Sequence, residues 1–188
     1  MNIFISGGCK NGKSYYAQRA ARDQTLKLGK PLYYIATMIP RDEEDRARIR
    51  RHLSEREGWG FETLEQPLNL TALLDDPAVD RSGVFLLDSV TAIMENEMFR
   101  RVDGLKGNSE TEIVYDDTAA DRVRRDMEAF AKATGNTVFV SDGIYGDMGE
   151  YSQSTEDYRK ALAAADRALA AVCDRVVEIT YGIEEIWK

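Results

Sequence analysis

The chain has 188 residues, of which 43% are hydrophobic, with a formal net charge of −8, two cysteines and one histidine. These values predict a single domain spanning residues 1–188 and argue against a membrane protein and a dedicated nucleic-acid-binding protein, which is usually basic. The cysteines and the histidine are too few for a Cys/His metal cage or a disulfide framework. The low number of cysteines and an N-terminus that lacks a secretory leader predict a cytoplasmic protein.

Short apolar runs alternate with stretches of helix-forming residues along most of the chain. Strands are predicted at residues 2–6, 32–36, 61–65, 84–88, 137–141, 175–180 and 183–187. Helices are predicted at residues 13–28, 42–57, 68–74, 89–99, 116–134 and 154–173. Loops are predicted at residues 103–113, which we expect to be mobile, and at residues 142–150. Strands that alternate with helices predict an α/β fold with a mostly parallel sheet and helices on both faces.

A candidate phosphate-binding loop follows the first predicted strand. The pattern G-x-x-x-x-G-K-[ST] is matched by Gly7, Gly8, Cys9, Lys10, Asn11, Gly12, Lys13 and Ser14. The glycines let backbone N–H groups point at phosphate oxygens, and the following helix adds its positive N-terminal end. We expect Lys13 to contact the β- and γ-phosphates and Ser14 to bind Mg²⁺. A chance glycine-rich turn is the alternative, but the flanking strand and helix favour a P-loop NTPase-type fold.

Asp88 ends the run of apolar residues at 84–88. In P-loop enzymes a carboxylate in this position commonly holds Mg²⁺ together with the hydroxyl of the phosphate loop. We therefore predict a Mg²⁺ site formed by Ser14 and Asp88. The alternative is an ordinary solvent-facing acid at the end of a strand.

His52 lies in a stretch rich in arginine and is the only histidine of the chain. In a helix, Arg48 and Arg56 would share its face, because they lie four residues before and after it. Two guanidinium groups beside an imidazole form a candidate phosphate-contact site, in which a neutral ring could attack phosphorus. On composition alone a solvated helix face is favoured, since runs of charged residues are usually exposed.

Several motifs occur in an order that resembles one enzyme family. After the phosphate loop, residues 34–37 read Y-I-A-T, and residues 47–56 match A-R-I-x-x-H-x-x-x-R. Residues 61–65 resemble an aromatic-x-T-x-E segment, and residues 86–91, with Asn96 beyond them, resemble an L-L-[ED]-C-[IL]-T stretch. These motifs resemble the bifunctional adenosylcobinamide kinase / adenosylcobinamide-phosphate guanylyltransferase family of cobalamin biosynthesis.

The resemblance implies two successive reactions. The family phosphorylates the aminopropanol hydroxyl of adenosylcobinamide with ATP or GTP, and then transfers GMP from GTP to that phosphate through a GMP–histidine intermediate. By motif position the histidine is His52. We predict Lys13 of the phosphate loop as the second catalytic residue. Beyond the phosphate loop, the implied nucleotide contacts are Thr37, Met38, Leu53, Ser54, Glu55, Arg56, Glu65 and Asp88. The resemblance also implies a homo-oligomer, with a trimer expected.

The second half of the chain departs from the family pattern. Where the family reads T-N-E-V-G after the fourth main strand, this chain has Ser141, Asp142 and Gly143. The later F-R-D-x-x-G-x-x-N-Q segment keeps only a Tyr-Arg pair at residues 158–159. These changes spare the nucleotide side and fall where the acceptor is expected. Two alternatives therefore stay open: a guanine-nucleotide-binding protein with a regulatory or partner-binding role, and a P-loop kinase for another small alcohol.

Overall fold

The computed structural model describes residues 1–103 and 111–188, without the side chains of Arg48, Glu55 and Asp103. The strands are β1 (Ile3–Gly7), β2 (Leu32–Ala36), β3 (Phe61–Glu65), β4 (Val84–Asp88), β5 (Phe99–Asp103), β6 (Thr111–Tyr115), β7 (Thr137–Val140), β8 (Arg175–Thr180) and β9 (Ile183–Ile186). The helices are α1 (Lys13–Leu28), α2 (Glu43–Glu55), α3 (Val90–Met98), α4 (Ala119–Thr134) and α5 (Gln153–Val172), with a 3₁₀ turn at Leu70–Leu74.

Seven strands form one sheet in the order β3-β2-β4-β7-β1-β8-β9. The strands pair in parallel except for β9, which pairs antiparallel with β8 at the edge. Parallel strands that are covered on both faces have continuous apolar sequences, which explains why β2, β4 and β7 could be predicted from the sequence. The predicted α/β fold, a P-loop NTPase-type mostly parallel sheet with helices on both faces, is confirmed.

Alternate side chains of the strands enter two separate apolar layers. One face packs Phe85 and Phe139 against α3, α4 and α5, and the other packs Ile5 and Leu86 against α1. All four of these side chains are buried. Because the strands are parallel, β1, β2, β4 and β7 all end at one edge of the sheet, and the segments that follow them meet there.

The prediction of a loop at residues 103–113 is wrong at both ends of this range, where the structure has strands. Asp103 ends β5 and Thr111 begins β6, and these strands form an antiparallel hairpin apart from the main sheet. Charged and polar residues interrupt both strands, so no buried-strand pattern was present to reveal them. The mobility expected of the loop between them concerns residues 104–110, which lie outside the described residues.

Other helix and strand boundaries lie one to three residues from their predicted positions, and hydrogen bonds explain two of these differences. Helix α3 begins after Ser89, whose hydroxyl accepts a hydrogen bond of 3.2 Å from the N–H of Ala92 and caps the helix. Helix α4 begins three residues later than predicted, because Asp116 accepts bonds from the N–H and hydroxyl of Thr118 in a preceding turn. Within the described ranges, no helix has the length and apolar character needed to cross a membrane.

Candidate active site

The phosphate loop joins β1 to α1 in a conformation that glycine permits. Gly7 has φ 146°, and a Cβ there would lie 2.3 Å from the carbonyl oxygen of Ile179 in the neighbouring strand. Gly12, with φ 91°, immediately precedes the first residue of α1. Since Gly12 carries no capping side chain, the first N–H groups of α1 are left for a bound anion. The backbone is therefore shaped to receive phosphate.

Lys13 is held at the mouth of this loop by two partners. Its ammonium Nζ lies 2.7 Å from the carbonyl oxygen of Gly8 and 2.7 Å from Oδ1 of Asp142. The Lys13 side chain is only 5% exposed, whereas that of Asp142 is 26% exposed. A buried ammonium needs a nearby negative charge, and Asp142 supplies it here. Asp142 was not among the residues predicted from the sequence.

A cleft of about 1170 Å³ opens over the phosphate loop. Its walls come from the loop, from the ends of β2, β4 and β7, and from α2. The predicted site residues that line it are Cys9, Lys10, Asn11, Gly12, Lys13, Ser14, Thr37, Met38, His52, Leu53, Arg56, Glu65 and Asp88. One cleft thus brings together the motif residues from the first half of the chain.

The remaining predicted residues are placed differently. Gly7 and Gly8 form the backbone of the phosphate loop without lining the cleft, and Ser54 is exposed outside it. The side chains of Arg48 and Glu55 lie outside the described residues, so their predicted contacts stay predictions.

Thr37 connects the ends of β2 and β4. Its fully buried hydroxyl accepts a hydrogen bond of 2.7 Å from the N–H of Ser89 and lies 3.1 Å from the Ser89 carbonyl oxygen. The side-chain amide of Asn96 donates a hydrogen bond of 2.7 Å to the carbonyl oxygen of Thr37. Because the Thr37 hydroxyl already forms hydrogen bonds with the backbone of Ser89, a contact of Thr37 with nucleotide would involve its other atoms.

Arg56 is the C-cap residue of α2, which ends at Glu55, and it lines the same cleft as His52. The Arg56 side chain is buried, with its guanidinium 3.7 Å from the ring centroid of Tyr34. It also donates to the carbonyl oxygen of His52 and to the hydroxyl of Thr63, each at 3.3 Å. Stacking and hydrogen bonds therefore fix the end of the histidine-bearing helix against the sheet.

Asp88 belongs to the same network. The hydroxyl of Tyr34, the residue on which Arg56 stacks, donates to Oδ2 of Asp88 over 3.2 Å. Asp88 and Ser14 both line the cleft, and oxygen atoms of this kind suit Mg²⁺. Among the residues that the structure describes, no cluster of three His, Cys, Asp or Glu side chains forms a closed metal cage. The hydroxyl of Ser14 and the carboxylate of Asp88 are oxygen donors of the kind that Mg²⁺ takes together with substrate phosphates, so these two residues would hold the ion if it binds here.

His52 lies in the last turn of α2 and lines the same cleft as the phosphate loop. Three arginines of the same helix, Arg46, Arg50 and Arg51, also line this wall. Arg46 and Arg50 form ion pairs with Glu43, at 3.2 Å and 2.6 Å. Part of α2 is therefore a solvated charged face, as its composition predicts. Its arginines also form a basic wall of the cleft that contains the phosphate loop.

A buried carboxyl supports the loop that carries Asp142. Oδ2 of Asp166 accepts hydrogen bonds from the hydroxyls of Ser141, at 3.1 Å, and Tyr145, at 3.0 Å. Asp166 is 3% exposed, and its burial raises its pKa to about 6. Partial desolvation of its hydroxyl and the neighbouring Asp166 carboxyl raise the pKa of Tyr145. Asp166 of α5 therefore holds Ser141, on one side of Asp142, and Tyr145, on the other side, with a single carboxyl group.

The sequence matches the family described as cobinamide kinase / cobinamide phosphate guanyltransferase over residues 3–185. The chain belongs to this family. The resemblance stated from the motifs is therefore confirmed, and both activities in the family's description are transferase activities. The departures at residues 141–147 and 158–167 occur within the family match, on the loop after β7 and on α5.

One solved structure shares the fold of this chain over its whole length. The flagellar accessory protein FlaH from Methanocaldococcus jannaschii is 12% identical with a TM-score of 0.52, over 100% of this chain and 77% of that one. A KaiC-like protein from Pyrococcus horikoshii is 13% identical with a TM-score of 0.46, over 94% and 69%. A search of curated protein sequences finds no significant match.

Proposed function

We propose that this protein phosphorylates the aminopropanol hydroxyl of adenosylcobinamide with ATP or GTP and then transfers GMP from GTP to the product. The observation that carries the proposal is that His52 lines the same cleft as the phosphate loop, in a chain of the cobinamide kinase family. A histidine in that position has no use in a simple kinase, whereas guanylyl transfer through a covalent intermediate requires a nucleophile.

The proposed guanylyl transfer uses the two walls of the cleft. A nitrogen of His52 attacks the α-phosphorus of GTP, a nitrogen–phosphorus bond forms, and pyrophosphate leaves with the electron pair of the α–β bridging bond. Lys13 and the N–H groups at the start of α1 stabilise charge on the leaving pyrophosphate. Mg²⁺ held by Ser14 and Asp88 would neutralise further phosphate charge. The phosphate oxygen of the cobinamide product then displaces His52 from GMP.

A covalent-labelling experiment tests the proposal. GTP labelled at the α-phosphate should leave label on the protein, whereas GTP labelled at the γ-phosphate should leave none. Since a phosphoramidate forms, the label should be lost in mild acid and survive base. His52→Asn should abolish labelling while calorimetry shows GTP binding largely unchanged, because the phosphate loop is intact. Labelling of the Asn variant at the parent's level would contradict the proposal.

A specific observation supports a second candidate. The loop after β7 carries Gly143 where the family pattern has glutamate, so a guanine-nucleotide-binding protein with a regulatory or partner-binding role fits the altered half of the chain. A parent protein that binds GTP tightly but takes no α-label would favour this function. A protein that takes no label but phosphorylates an alcohol would instead be a P-loop kinase alone.

The family resemblance also leads us to propose a homo-oligomer, with a trimer expected. Light scattering at micromolar concentrations should then give a mass about three times the chain mass of 21.2 kDa. A mass near 21.2 kDa across that range would contradict the proposed assembly.

A further inference from the structure

We propose that Asp142 is the general base of the phosphorylation step, an inference that rests on the kinase half of the proposed function. In that step the acceptor hydroxyl oxygen attacks the γ-phosphorus of the nucleoside triphosphate. The new oxygen–phosphorus bond forms as the bond to the β–γ bridging oxygen breaks, and the nucleoside diphosphate leaves with its electron pair. The hydroxyl proton passes to the carboxylate of Asp142, and from there to water.

The position of Asp142 supports this role. Its Oδ1 lies 2.7 Å from Nζ of Lys13, the group expected to bind the γ-phosphate. A phosphate oxygen that accepts a hydrogen bond of about 2.9 Å from the same ammonium would lie within a few ångström of the carboxylate. A hydroxyl approaching the γ-phosphorus from the open cleft would then come within reach of Asp142, which lines the cleft.

The backbone on both sides of this carboxylate is fixed. The N–H of Asp142 donates to the hydroxyl of Thr91 over 2.9 Å, and the N–H of Gly143 donates to the carbonyl oxygen of Gly7 over 3.0 Å. The second bond ties the loop directly to the start of the phosphate loop. A catalytic base works best when its distance from the reacting atoms is set before the substrate arrives, and these bonds set it.

Electrostatics distinguishes Asp142 from the other acids of the cleft. Asp88 accepts from the hydroxyl of Tyr34 and is the predicted Mg²⁺ ligand, whereas Glu65 ends β3, the far edge strand of the sheet. Among the described carboxylates that line the cleft, Asp142 is the one paired with Lys13. A triphosphate bound to Lys13 would therefore place its γ-phosphate beside this carboxylate, where a proton acceptor for the attacking hydroxyl is needed.

The experiment separates the two reactions of the proposed function. Asp142→Asn keeps the size of the side chain and removes the proton-accepting carboxylate. We expect transfer of γ-label to cobinamide to fall by about 10²–10⁴-fold. GTP binding and α-labelling of His52 should stay within a few-fold of the parent, because a neutral imidazole attacks without needing a base. Retained α-labelling also shows that the variant is folded.

Asp121→Asn is the matched control. This exposed acid lies in the first turn of α4, pairs with Arg124 at 3.4 Å and does not line the cleft. Its substitution should leave phosphorylation near the parent rate. Phosphorylation that persists in Asp142→Asn would overturn the inference. Equal losses of GTP binding, α-labelling and phosphorylation would overturn it as well, because Asp142 would then act only by holding Lys13.

Failure of the proposed function has a different signature. A parent protein that takes α-label but phosphorylates no cobinamide would contradict the kinase half of that function, and the inference with it. A parent that phosphorylates cobinamide but takes no α-label would contradict guanylyl transfer alone. The Asp142 inference would then be judged on phosphorylation, GTP binding and thermal unfolding of the variant.

Discussion

Replacing Lys13 by alanine is expected to weaken GTP binding by about 100-fold. A hydrogen bond to a charged group contributes about 1.5–3 kcal/mol, and each 1.4 kcal/mol is worth about a factor of ten in affinity. Lys13 is also buried, so water replaces its ammonium poorly. In the variant, the Asp142 carboxylate faces the phosphates without its cation, which adds repulsion. Isothermal titration calorimetry with GTP and Mg²⁺ measures the change.

Two further variants make this measurement specific. Lys27→Ala removes one exposed positive charge from the same helix and should leave GTP affinity unchanged. Lys13→Ala combined with Asp142→Asn should bind GTP better than Lys13→Ala alone, since the unpaired carboxylate is gone. Equal affinity in Lys13→Ala and the parent would show that the phosphate loop does not hold the nucleotide.

The fold was predictable where a local pattern determined it. Buried strands such as β4 form unbroken apolar runs, and the alternation of strands and helices leaves a parallel sheet as the simple solution. The hairpin of β5 and β6 escaped prediction because its strands pair only with each other and carry Arg100, Arg101 and Glu112 among their apolar residues. Its stability comes from contacts such as Phe99 against Tyr115, which no local period reveals.

The site was predictable where a local sequence motif marks its residues, as in the phosphate loop and in the family motifs that contain His52 and Asp88. The phosphate loop is a local motif, so its residues and conformation follow from eight neighbouring positions. Asp142 pairs with Lys13 from a distant part of the chain, and the stacking of Arg56 on Tyr34 also joins separate segments. One signal for Asp142 did exist. It follows a buried strand just as Asp88 ends one, and acids at the carboxyl ends of parallel strands meet at one edge of the sheet.

The free energy of unfolding is expected to fall as pH rises from about 4 to about 7, through Asp166. Burial raises the pKa of this carboxyl from its ordinary value of 3.8 to about 6 in the folded protein, and the nearby Asp142 adds to the rise. The folded state therefore binds the proton more tightly than the unfolded state. The stabilisation is complete below the unfolded pKa and is lost as pH rises through about 6. Its size is about 3 kcal/mol, because each tenfold change in proton affinity is worth about 1.4 kcal/mol.

Asp166→Asn tests this prediction, because asparagine resembles the protonated carboxyl and its oxygen can accept from Ser141 and Tyr145 as Oδ2 does. Urea unfolding should find the variant close to the parent at about pH 4 and more stable by about 1–3 kcal/mol at about pH 8. Taking the difference between the two proteins removes the contribution of other acids, such as Glu97, whose pKa is lowered by hydrogen bonds that outweigh its burial. Asp157→Asn is the control, since Asp157 is a less buried acid of α5 that also accepts from a tyrosine hydroxyl. A stability difference between Asp166→Asn and the parent that stays constant from about pH 4 to about pH 8 would show that the buried carboxyl does not set this pH dependence.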